Sequence, residues 1–111
     1  MTRLDQKKRY WGIISSQMPA NVLAQVAKQQ EDLGFEGTWA AQVFGPPFSP
    51  LAAAATSTER LLLGTGIAIA FTRSPFETAM AAIDLDSMSN GRTVLGLGSS
   101  VKSWTEGIFG M

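Results

Sequence analysis

Four short apolar runs, separated by stretches whose periodicity is helical, constrain the fold of this 111-residue chain more than any other feature. The first run, Tyr10-Trp11-Gly12-Ile13-Ile14-Ser15, has the unbroken apolar character of a strand covered on both faces. Pro19 suits the first turn of a helix, where its missing N–H does no harm. Val22, Leu23, Val26, Ala27 and Leu33 then form one apolar stripe, and Gly34 is a natural left-handed stop. A second strand is predicted over residues 37–43, and Gly45-Pro46-Pro47 makes a loop after it. Ser49-Pro50 caps and starts a short alanine-rich helix through about Ser57. Residues 61–67 give the strongest strand signal. Ser74-Pro75-Phe76-Glu77 has the form of a capping box, and Phe76, Ala79, Met80 and Ile83 come next as an apolar face. Asn90-Gly91 closes that helix, residues 93–98 give the fourth strand, and irregular sequence runs on to Met111.

The order is therefore β-α-β-α-β-α-β, with connections too long for hairpins. This implies parallel strands joined by helical crossovers, in an α/β fold. Two architectures begin this way, an open doubly wound sheet and an eightfold (β/α) barrel, and periodicity alone does not separate them. No internal repeat, low-complexity segment or domain boundary interrupts residues 1–111.

Composition removes whole classes of chemistry. Nine Lys plus Arg balance nine Asp plus Glu, so no net field draws the chain to nucleic acid or an anionic membrane. Cysteine and histidine are both absent, which excludes thiolate nucleophiles, Ser-His pairs, disulfides and the usual zinc sites within this chain. The most apolar stretch, residues 61–71, is about half the ~20 residues a membrane helix needs. Without a secretory signal pattern either, the expected location is the cytoplasm.

Two sets of residues bear on the choice of architecture. The first runs Thr58-Glu59-Arg60-Leu61-Leu62-Leu63-Gly64-Thr65-Gly66-Ile67 and then Arg73-Ser74-Pro75. The second runs Asp86-Ser87-Met88-Ser89-Asn90-Gly91-Arg92 and then Leu95-Gly96-Leu97-Gly98-Ser99. In this order, with Leu33-Gly34-Phe35-Glu36-Gly37 before and Trp104-Thr105-Glu106-Gly107 after, the chain resembles the bacterial luciferase-like family from about Tyr10 to Met111. The resemblance implies the first half, about four βα units, of a (β/α)8 TIM barrel. A complete barrel takes about 250 residues, so the chain is expected to be the N-terminal fragment of one. It also implies an oxidoreductase or monooxygenase using FMN or coenzyme F-420, a 5-deazaflavin, on a small organic substrate, and a homodimer when full length.

In a barrel the site lies at the C-terminal ends of the strands, which selects Ser15-Ser16-Gln17, Ala41-Gln42, Gly66-Ile67-Ala68 and Gly98-Ser99-Ser100. The resemblance implies that Gly66 and Ile67 form a non-prolyl cis bulge backing the cofactor ring, and that Ser99 hydrogen-bonds the cofactor. The bland alternative for the glycines is close packing of the inner barrel. Gln42 stands where some deazaflavin dehydrogenases of the family carry a histidine. A glutamine donates and accepts hydrogen bonds but transfers no proton at neutral pH, so no catalytic acid or base is assigned. The acids Glu77, Asp84 and Asp86 read as capping and solvated groups, Arg73 as a loop anchor, and Trp11 and Trp39 as core. The alternative to an enzyme is a catalytically inactive half-barrel, a remnant or an assembly partner.

Overall fold

The computed structural model describes residues 9–99. The expectations for Ser100, Trp104 and the C-terminal stretch lie outside the described residues. Strand β1 (Trp11–Ile14) leads into helix α1 (Ala20–Asp32), and β2 (Gly37–Ala40) into α2 (Phe48–Ala55). Strand β3 (Leu62–Thr65) is followed by a two-residue strand β4 (Ala68–Ile69), a 3-10 turn (Ala70–Thr72) and α3 (Pro75–Met88). The predicted fourth strand arrives in two pieces, β5 (Thr93–Val94) and β6 (Leu97–Gly98).

All pairings are parallel, in the order β1-β2-β3-β5, with β4 and β6 forming a separate pair. The order never reverses, so these strands contain no topological switch point of the doubly wound kind. Right-handed crossovers between successive neighbours set every helix on one face of the sheet. Ile14, Ala40 and Leu63 bury that face against Leu23, Ala27, Leu51, Ala54 and Leu85. That is the barrel layout, a sheet with helices outside and a separate inner face.

Trp11 and Trp39, read from the sequence as core, lie half-buried on the inner face, outside the core that packs against the helices. Alternation along a strand sends Ile13 and Trp39 to the side opposite Ile14 and Ala40, and the register aligns Ile13, Trp39, Gly64 and Val94 across it. The two indoles stack with centroids 4.2 Å apart. A Cβ on Gly64 would collide with the Trp39 ring, so glycine here is what lets the indole lie flat on the sheet. Ile13, beside them, is 77% exposed.

Two helix faces differ from expectation. Leu33 is exposed, and its place in the α1 interface goes to the carboxylate of Glu31. In α3 the predicted face of Phe76, Met80 and Ile83 turns to solvent, while Thr78 and Leu85 are buried. The inward row is Thr78, Ala81, Ala82, Leu85 and Ser89, at helical spacing. Small side chains bring α3 close to its neighbours, and the bulkier apolar residues are left outside. The cap forms as predicted: the Ser74 hydroxyl accepts the Glu77 N–H at 3.1 Å. Helix α2 begins one residue before the expected Ser49 cap, with Pro47 at its N-cap and no side-chain cap.

Candidate functional site

The strand exits of β1, β2 and β3 surround a cleft of about 480 Å³. Trp39 and Gly66 form its base, Ile13, Val43 and Phe44 its apolar walls, and Ser15, Ser16 and Gln17 its polar rim. A Cβ on Gly66 would lie 3.1 Å from Trp39 Cε3, so the bare glycine keeps backbone and indole in close contact. Among the described residues, nothing ionisable lines this cleft. A flat apolar base, apolar walls and hydroxyl and amide groups at the rim fit one face of a planar heterocycle such as a flavin or deazaflavin ring.

The four residues selected from the sequence meet at this end of the sheet. The Gly66–Ile67 peptide is cis. Gly66 donates its N–H to the Ala40 carbonyl at 2.8 Å, and the Ile67 carbonyl accepts the Gln42 N–H at 3.2 Å. Ser99 directly follows β6, which pairs with β4 through Ala68–Leu97 and Ile69–Gly98. The glycines of Gly96-Leu97-Gly98 make room for protein: a Cβ on Gly96 would strike the Thr65 carbonyl, and one on Gly98 the Ile67 side chain. Thr65 Oγ1 completes that close approach by donating to the Gly96 carbonyl and accepting the Gly96 N–H.

Gln42 is 8% exposed and heavily engaged. Its Oε1 accepts from the Ile69 N–H at 2.9 Å and from Arg73 Nη1 at 3.1 Å, while Nε2 donates to Thr72 Oγ1 at 2.7 Å. Both lone pairs of the amide oxygen are thus used within the chain. The side chain ties the exit of β2 to the segment after β3.

The family-like motifs Thr58-Glu59-Arg60-Leu61 and Asn90-Gly91-Arg92 lie at the other end of the strands. Glu31 Oε2 accepts the N–H groups of Glu59, Arg60 and Leu61 at 3.0, 2.7 and 2.8 Å. Burial pushes the Glu31 carboxyl up, yet those N–H donors and the Arg60 charge outweigh it and hold the group below its ordinary value. Arg92 sends Nε to the Ser89 carbonyl, Nη1 to Thr58 Oγ1 and the Leu61 carbonyl, and Nη2 to the Thr58 and Ala55 carbonyls. Burial lowers its pKa against the opposing pull of Glu31 and Glu59. Sequence reasoning gave neither residue a role, although Arg92 stood in a quoted motif; an acid on the inward side of α1 was the available signal for Glu31. In a barrel this end serves stability, not chemistry.

Fold and cleft define a class: the opening βα units of a barrel with its site at the strand exits. The match is to the luciferase-like monooxygenase family model over residues 6–111, and the chain belongs to that family. It is 40% identical over 102 residues, 91% of this chain and 28% of the relative, to a Mycobacterium tuberculosis protein named provisionally as a coenzyme F-420-dependent oxidoreductase. The coenzyme F-420-dependent tetrahydromethanopterin reductase of Methanopyrus kandleri superposes with TM-score 0.80 at 28% identity, covering 90% of this chain and 29% of that one. The oxygenating constituent of 3,6-diketocamphane monooxygenase from Pseudomonas putida, solved with FMN, superposes at 0.81 and 17% identity over 95% of this chain and 33% of that one, a likeness of fold. The chain thus spans under a third of the curated relative's length and matches the N-terminal third of luciferase-like TIM-barrel structures.

Proposed function

We propose that this chain supplies the first βα units of a redox barrel that holds coenzyme F-420 or FMN against a small organic substrate. The observation that carries the reading is the cleft over Trp39 and Gly66, apolar, free of ionisable lining among the described residues, and rimmed by Ser15, Ser16 and Gln17. When bound, the cofactor supplies the hydride or oxygen-activating chemistry. Trp39 and Gly66 would back its ring, the Ser15-Ser16-Gln17 rim and Ser99 would orient its polar edge, and Val43 and Phe44 would exclude water. The names of the mycobacterial and Methanopyrus relatives favour F-420; FMN rests on the Pseudomonas fold neighbour alone. The complete protein would act as a homodimer.

One observation supports a second reading, a catalytically inactive half-barrel that is a remnant or an assembly partner. The inner face stands open at Ile13, and β1 and β5 are the outer strands of the four-stranded sheet.

Joining this chain to the C-terminal remainder of the mycobacterial relative tests both. The joined protein should quench F-420 or FMN fluorescence saturably, at micromolar cofactor, while the chain alone should not. A folded joined protein that binds neither cofactor contradicts the redox reading. Saturable binding by the chain alone contradicts the need for a partner.

A further inference from the structure

We infer that Arg73 is an oxyanion receptor at the mouth of the strands, taking a carboxylate or phosphate group. Arg73 follows the 3-10 turn after β4 and lines a second cleft, about 430 Å³, with Gln42, Gly45, Pro46 and Thr72. This cleft shares Val43 and Phe44 with the cleft over Trp39, so the loop after β2 is the wall between them.

Three observations make the guanidinium more than a loop anchor. It is positioned from two sides, by Gln42 Oε1 at 3.1 Å from Nη1 and by the Phe48 ring 5.5 Å below Cζ. Both partners are neutral. Among the described residues it has no carboxylate partner, whereas Arg9 has one and Lys28 two. Burial also lowers its pKa, so the cation loses solvation without recovering it from an acid. Arg92, likewise desolvated, spends all its donors on carbonyl and hydroxyl oxygens. Arg73 spends one on Gln42, leaving Nε and Nη2 for a planar oxyanion in the forked geometry that suits guanidinium.

The inference extends the redox reading by naming a group that the mouth would grip, but it does not depend on cofactor binding. The test is the Arg73 Nε–Hε resonance of the 111-residue chain, titrated with inorganic phosphate, with acetate, and with chloride at matched ionic strength. Phosphate or acetate should shift it saturably and chloride should not, and the tighter of the two names the source as phosphate or carboxylate. Arg73→Gln should abolish phosphate binding seen at other resonances of this loop, and Arg73→Lys should weaken it at least about tenfold. An Nε–Hε signal that chloride moves as much as phosphate, or that no oxyanion moves, overturns the inference. Undiminished phosphate binding by Arg73→Lys does the same. Should Arg73→Gln fail to fold, the wild-type resonance and the lysine variant still decide.

Discussion

A single carboxylate, Glu31, organises the base of the sheet. Three successive backbone N–H groups before β3 have no strand partner and bond this carboxylate instead, the Leu61 bond buried and those of Glu59 and Arg60 partly so. Hydrogen bonds to a charged acceptor contribute about 1.5–3 kcal/mol each, though not additively. Glu31→Gln should therefore cost about 2–4 kcal/mol in chemical denaturation. The pH dependence has a definite sign. The folded-state pKa is depressed, so the stabilisation is complete above the ordinary value near 4.5 and is lost as the pH falls through the lower folded value. Wild type should lose stability over that acid range, and Glu31→Gln should lose less. Parallel denaturation midpoints against pH for the two proteins would show that this carboxylate is not the acid-labile group.

At the scale of elements, the inner face is a fit between indoles and glycines. Gly64 supplies room for Trp39, and Trp39 in turn stacks on Trp11. Gly64→Ala should displace the indole, cost about 1–3 kcal/mol, and change the near-ultraviolet circular dichroism that the stacked pair produces. An unaltered spectrum with unaltered stability would contradict this packing. Element order, parallel pairing and the Ser74 cap were legible in the sequence because each rests on local pattern: periodicity, crossover length and a Ser-Pro-x-Glu start. The inward side of α3 was not legible, since its alanines and Thr78 carry less hydropathy than the Phe76, Met80 and Ile83 left outside. Glu31 was hidden for a related reason, because its partners are backbone donors 28–30 residues away. At the candidate site the sequence placed Gly66, Ile67, Gln42 and Ser99 at one end of the strands, but not the bonds that tie Gln42 to Ile69, Thr72 and Arg73.

The whole molecule divides its labour between the two ends of a parallel sheet. Glu31 and Arg92 knit the N-terminal ends with charged and main-chain hydrogen bonds, and the C-terminal ends carry the apolar cleft and its polar border. Among the described residues, no helix is long and apolar enough to cross a membrane. The central claim is that a redox ring rests on the inner face at Trp39. Tryptophan emission of the joined protein, followed during cofactor titration with Trp39→Phe as the comparison, tests it most directly. The account predicts saturable quenching in the parent and loss of most of it in the variant, with both proteins folded. Cofactor that binds the parent while leaving the Trp39-dependent emission untouched would place the ring elsewhere and contradict the account.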